Sequence, residues 1–249
     1  MPRDDKTEVI MPQYYTGKIA KSDRIDFLKD TLYAKMPEIE SDRAVLITES
    51  YKATEGEPII IRRAKAFKHI LENIPITIRD RELIVGSATI HPRSCQVFPE
   101  YSFEWLEKEF DTVATRTADP FYIADETKKT LHEVYKYWKG KTTSELATSY
   151  MSAETLTAMA HNMFTPGNYF YNGIGHVTVD YGKILAGGFS ALINEVKEEL
   201  AVTKVGDADY CRKHAFLEAL VMSYEAAVNY AKRYSRLAKE LADKEASPT

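Results

Sequence analysis

The sequence predicts a mostly α fold with short strands, and three observations predict it. Apolar residues recur at spacings of three and four along most of the chain, the period of a helix with one buried face. Ser, Asp and Pro open these stretches and Gly or Pro closes them, where helix caps belong. Only around residues 76–86 (ITIRDRELIVG) does the pattern change to short apolar runs about a charged turn, which reads as strands or a hairpin-like segment.

In chain order, residues 1–21 show no core pattern and are expected to form a flexible lead. Ser22 is placed to cap a helix over 22–35, with Ile25, Leu28 and Leu32 at helical spacing and Pro37 ending it. Ser41 is placed to cap a second helix that closes near Gly56. Pro58 suits the first turn of a third, whose Ile61, Ala64, Phe67 and Leu71 share one face. Residues 91–100 (HPRSCQVFPE) are punctuated by proline and read as irregular. SFEWLEKEFD follows, and a helix runs from about Asp125 to Trp138, ended by Gly140; a short one comes after Ser152. Asp180 can cap a helix carrying Ile184, Leu185, Phe189, Leu192, Val196 and Leu200. From about Asp207 to Glu245 a single helical pattern continues, with Phe216, Leu220, Tyr224, Ala227, Ala231, Tyr234, Ala238 and Leu241 as its stripe. Globular helices average about 11–12 residues, so this stripe must be covered by earlier helices or by a partner.

Composition narrows the classes. The 249 residues are 44% hydrophobic and 28% charged, with a formal net charge of −4. Lys and Arg alternate with Asp and Glu throughout, so the basic patch of a nucleic-acid binder is missing. No run of 18 apolar residues offers a transmembrane helix, and residues 1–22 lack the apolar centre of a signal peptide; the expected location is the cytoplasm. Cys95 and Cys211 form no CxxC pair and are expected to be buried thiols, neither a disulfide nor a metal site.

Several motifs start and fail. Gly140-Lys141-Thr142 has the tail of a P-loop, but Tyr135 stands where its first glycine belongs. His132-Glu133 begins like a zinc-protease helix, but Lys136 replaces the second histidine. There is no GxSxG elbow. The segment with chemical character is Gly167–Val177 (GNYFYNGIGHV). Its three glycines permit close backbone approach, its three aromatics can wall a pocket, and His176 can give or accept a proton near neutral pH. Pattern alone favours a packed loop whose histidine bonds a carbonyl. The alternative is a pocket with one acid–base residue.

The segments SDRAVLITESYKATEGEP (41–58), ILENIPITIRDRELIVGS (70–87), QVFPE (96–100), YWKGKTTSELATSYM (137–151) and GNYFYNGIGHVTVDYGKIL (167–185) resemble the N-terminal region of glycyl radical enzymes of the pyruvate formate-lyase-like family. Within that family they are most similar to the B12-independent glycerol and propanediol dehydratases. The resemblance keeps register over nearly all of residues 22–245. It implies that residues 22–249 are the N-terminal portion of a ten-stranded α/β barrel. A thiyl-forming cysteine in a Gly-Cys-x-Glu motif and a radical glycine in an Arg-Val-x-Gly-Tyr motif would both belong to the intact enzyme. Neither motif is in this sequence. No cofactor is expected on this chain itself; the implied enzyme carries a glycyl radical installed by an iron–sulfur activase that uses S-adenosylmethionine. The implied partners are a small diol substrate, the activating enzyme and, for the intact enzyme, a second copy in a homodimer. His176 matches the histidine of the family's Gly-His-Val loop, which implies both catalysis and substrate binding for it. Arg79–Glu82, Glu100 and Glu49 read as structural. The alternatives are a non-catalytic or split subunit that assembles with the missing barrel half, or part of another glycyl radical lyase.

Overall fold

The computed structural model describes residues 22–164 and 178–245. By internal contacts the chain divides into two units, Met1–Lys35 and Met36–Thr249. The first holds α1 (Asp23–Tyr33), whose first turn is closed by Ser22: its hydroxyl accepts from the Ile25 amide at 3.3 Å.

The second unit contains the strands and the remaining helices. In order these are β1 (Glu38–Glu40), α2 (Asp42–Ala53), α3 (Ile59–Asn73), β2 (Ser94–Gln96), α4 (Glu104–Glu109), a 3-10 turn (Val113–Thr115), α5 (Asp125–Trp138), α6 (Thr143–Ser149), α7 (Ala153–Ala160), α8 (Tyr181–Val202) and α9 (Tyr210–Lys244). β1 and β2 pair in parallel, with Ile39 opposite Cys95. A mostly helical unit with two parallel strands is thus what the periodicity specifies, but the strands are elsewhere than expected. They lie in 38–40 and 94–96, whereas 76–86 makes a turn at Asp80–Arg81 inside an irregular stretch. A strand needs a neighbour to satisfy its backbone. Glu38–Glu40 finds one on each side: the Ile39 amide donates to Tyr122 O at 3.0 Å, and β2 flanks the other edge.

The core gathers where these elements meet. Ile39, Ala44, Ile47, Ile70, Phe103, Leu106, Leu131 and Trp138 are all buried. The Phe103 ring stacks on Tyr135 at 4.7 Å and meets Phe110 edge-on at 6.1 Å. α5 docks on α2 through one buried polar contact, the Trp138 indole donating to Thr48 Oγ1 at 2.8 Å. That bond satisfies a donor that would be costly to leave unpaired at this depth.

Two details of the helices differ from expectation. Ser41 occupies the cap position of α2, but its side chain makes no cap bond; the Arg43 amide is taken instead by Gln96 Oε1 at 3.0 Å, so β2 caps α2. In α3 the buried residues are Ala64, Ala66 and Ile70, and Phe67 is exposed. The helix is sandwiched: α2 packs on one side and α9 on another, so no single stripe describes it. The long C-terminal helix is present as a single 35-residue element, and α3 and α8 cover it. The covered positions are Leu217, Ala219, Ala226 and Tyr234. Phe216, Ala231, Ala238 and Leu241, expected in the stripe, are exposed, and of the face expected on α8 only Leu192 and Val196 are buried. α8 breaks at Gly188 (φ 67°, ψ 179°), a conformation that glycine alone adopts cheaply.

Candidate functional site

The loop that carries His176 falls outside the described residues, so its imidazole has no described geometry. What is described is how the chain enters and leaves that loop. On the near side Ser152 caps α7, its hydroxyl accepting from the Thr155 amide at 3.2 Å. On the far side Asp180 caps α8, its Oδ1 accepting from the Lys183 amide at 3.0 Å. Both caps were legible in the sequence. The Asp180 carboxylate occupies the end of α8 where a ligand anion would otherwise be favoured, so these glycines gain no anion site from that terminus. Apolar side chains are exposed on both approaches, Met163 before the loop and Tyr181 and Leu185 after it.

An open cavity of about 970 Å³ lies between α4 and α6, with Trp105, Arg116 and Glu104 on its wall. At its base the Thr142 hydroxyl donates to Glu104 Oε1 at 2.5 Å, and the Ser144 hydroxyl donates to Glu104 Oε2 at 2.9 Å. Burial pushes the Glu104 carboxyl up, but the bonds from Thr142, Ser144 and the backbone outweigh it and hold the group below its usual range. Thr142 and Glu145 also form a reciprocal capping box on α6. The Thr142-x-x-Glu145 spacing is the sequence signature of this box, and it overlaps the incomplete P-loop tail at Gly140–Thr142. With its carboxylate already saturated by donors, this cluster holds α4 to α6 and offers no free acid or base.

The charged residues expected to be structural are so placed. Arg43 grips Glu100 with two donors, at 2.5 and 3.1 Å, and lies over the Phe98 ring at 3.6 Å. Glu49 meets His69 Nε2 at 3.0 Å. Arg79 pairs with Glu82 at 3.0 Å and ties together the whole segment after it: its guanidinium also donates to the carbonyls of Thr89, Ile90 and His91. Glu40, buried on β1, collects the Ile90 and His91 amides at 3.0 and 2.9 Å. A carboxylate at that depth requires such donors. The turn expected at Arg79–Glu82 is therefore real, with its ion pair, but it does not join two strands.

The cysteines correct the sequence reading, since both are exposed. Partial desolvation, with the Glu40 carboxylate second, raises the Cys95 thiol above its ordinary pKa, so it is not an activated nucleophile. Among the described residues no cluster of three His, Cys, Asp or Glu side chains could hold a metal ion, and no helix is long and apolar enough to cross a membrane.

Residues 16–249 match the model of the pyruvate formate lyase-like family, and the chain belongs to that family. Two solved structures align with a TM-score of 0.88 each. One concerns 1,2-propanediol dehydration in Roseburia inulinivorans (61% identical, covering 93% of this chain and 28% of that one). The other is the glycerol-bound B12-independent glycerol dehydratase of Clostridium butyricum (54% identical, covering 94% and 30%). Among curated relatives, the (2S)-3-sulfopropanediol dehydratase of Klebsiella oxytoca is 31% identical over 98% of this chain and 30% of its own length. A glycyl radical enzyme of Archaeoglobus fulgidus is also similar, 36% identical with a TM-score of 0.82, covering 90% of this chain and 29% of that one. The chain spans about three tenths of the length of the relatives it matches.

Proposed function

We propose that this chain is the N-terminal part of a radical diol dehydratase that eliminates water from glycerol, giving 3-hydroxypropionaldehyde, or from 1,2-propanediol, giving propionaldehyde. The observation that carries the reading is the 61% and 54% identity to the two solved structures over more than nine tenths of this chain. In this reading residues 22–249 form one portion of a ten-stranded α/β barrel and residues 1–21 lead into it. A glycyl radical, installed by an S-adenosylmethionine iron–sulfur activase, supplies hydrogen-atom abstraction in the completed enzyme, a cytoplasmic homodimer.

The contribution of this chain is His176. Hydroxide leaves poorly from carbon, and a positioned acid lowers that barrier by protonating the oxygen as the C–O bond breaks. His176 binds the substrate hydroxyl, donates its proton to the departing oxygen, and is left neutral as water leaves. An imidazole suits this because its ordinary pKa, about 6.5, lies near the working pH.

The test is a fused chain in which these 249 residues replace the matching stretch of the Clostridium butyricum dehydratase. Assayed anaerobically with its activase, it should produce aldehyde from glycerol or 1,2-propanediol. His176→Gln should lower kcat by about 10²–10⁴-fold, the usual worth of a general acid, with an unchanged circular dichroism spectrum. The 249-residue chain alone should produce none. A fully active His176→Gln enzyme would remove His176 from the mechanism. A folded, radical-bearing fusion inert towards both diols would remove the dehydratase reading.

A further inference from the structure

Helix α8 contains a contact that an unbroken helix forbids. Lys183 Nζ lies 2.9 Å from Glu195 Oε2 and donates to Oε1 at 3.1 Å. In a continuous helix, residues that far apart in sequence stand about 18 Å apart along the axis and about 120° apart around it. A lysine and a glutamate reaching towards each other cannot close that gap. The pair exists because the chain turns sharply at Gly188, so that Tyr181–Gly187 lies back towards the body of the helix.

Two adjacent glycines make the turn, for different reasons. Gly188 has φ 67° and ψ 179°, a conformation strained for any residue with a side chain. Gly187 is required by space: a Cβ there would stand 2.7 Å from Ala191 Cβ, nearer than non-bonded carbons settle. Little else holds the turn. None of residues 181–187 is buried, and Tyr181 and Leu185 are 70% and 85% exposed. Packing begins just past the break, where the Phe189 ring meets Tyr224 of α9 at 5.8 Å. The Lys183–Glu195 pair is itself half-exposed, at 51% and 62%, and pairs of that kind are weak and screened by salt. Glycine also accepts helical φ. A straight α8, with its ladder of backbone bonds unbroken, is therefore open to the same sequence.

We propose that Gly187-Gly188 is a hinge on which Tyr181–Gly187 swings between the bent state, latched by Lys183 and Glu195, and a straight α8. The hydrogen bond to Glu195 raises the Lys183 pKa, so the ammonium stays charged across the neutral range and ionic strength governs the latch. Tyr181 follows His176 by five residues in the sequence. The hinge thus sets the direction from which the chain after His176 enters the body of the helix. It is carried by the geometry of α8 and stands whether or not the dehydratase reading does.

The test uses the 249-residue chain with both exposed cysteines, Cys95 and Cys211, changed to serine. Spin labels are attached at Tyr181→Cys and Val202→Cys, both exposed positions at the two ends of α8, and pulsed electron paramagnetic resonance reads their separation. A straight helix of this length places them about 32 Å apart, and the bent state at least about 8 Å closer. Two components are expected. The ratio of long to short should rise at least about twofold between about 0.01 M and about 1 M salt, as the Debye length falls from about 30 Å to about 3 Å. Lys183→Gln should raise it in the same direction at low salt, and Gly188→Ala should leave only the long component. The salt series needs no further substitution, so it decides the matter even if Gly188→Ala fails to fold. A single short distance that neither salt nor Lys183→Gln shifts would show a fixed bend. A single long distance at every salt would show no bend. Either result overturns the proposal, as would two components indifferent to salt and to Lys183→Gln, or a short component that persists in Gly188→Ala.

Discussion

Two regions of the second unit are built differently. Between Ile39 and Trp138 the buried residues are large and interlocked: Phe103, Leu106 and Leu131 are at most 1% exposed, and aromatic rings stack through the centre. Across α8 and α9 the buried set is Leu192, Val196, Leu217, Ala219, Ala226 and Tyr234, two of them alanines, and the helices carry long exposed faces and a break at Gly188. The first region is a finished core. The second is a clamp, whose work is done by a few directed bonds from α9 to the carbonyls of Leu71, Ile74 and Ser87. The candidate loop adjoins α8 of the clamp in sequence. The contrast places the densest burial away from where function is expected, as binding and catalytic segments usually require.

Substitutions can break that comparison. The largest loss is expected for Phe103→Ala, which removes a fully buried ring stacked on Tyr135; chemical denaturation should record about 3–5 kcal/mol. A comparable loss from Leu192→Ala would mean that the clamp is as tightly built as the core. Next comes Arg233→Met. It keeps the aliphatic stem but leaves the Leu71 and Ile74 carbonyls without their charged donor, for about 1.5–3 kcal/mol. Hydrogen exchange should rise first at the end of α3 and in the segment after it, leaving α5 protected.

Glu104 gives a smaller effect, confined to acid. Its folded pKa is depressed, so its contribution is present above the unfolded carboxyl value of about 4.3 and is lost as pH falls through the lower folded value. Glu104→Gln should therefore flatten the fall in melting temperature below about pH 4.5 relative to the native chain. The smallest change is expected at Lys136→Ala. Its partner Glu133 is at 2.6 Å, but both side chains are 70% exposed, and such pairs contribute under about 0.5 kcal/mol.

The sequence was legible where local chemistry decides. Ser22, Ser152 and Asp180 each cap the helix they precede, and α5 spans Asp125–Trp138 with Gly140 just beyond its end, as expected. It failed where distant partners decide. Ser41 stands at a cap position, yet a glutamine 55 residues further on in β2 takes the amide. The strand pattern of 76–86 is real but has no neighbour to pair with among the described residues, while the unremarkable Glu38–Glu40 finds Tyr122 and β2. Phe67 reads as a core residue only if α3 has one buried face, and it has two contacts, with α2 and α9. The cysteines read as buried because most free thiols are, and nothing in their neighbours revealed otherwise. Of the candidate site, the caps on either side and the structural roles of Arg79, Glu82 and Glu100 were legible. The segment with His176 lies outside the described residues, and the role proposed for it rests on family resemblance.

The central claim is that His176 faces the substrate and handles its proton. A crystal structure of the fused chain with glycerol bound tests it most directly. A ring nitrogen of His176 should lie about 2.7–3.2 Å from a substrate hydroxyl oxygen. An imidazole turned to bulk solvent, or bonded to a backbone carbonyl away from the bound glycerol, would contradict the account.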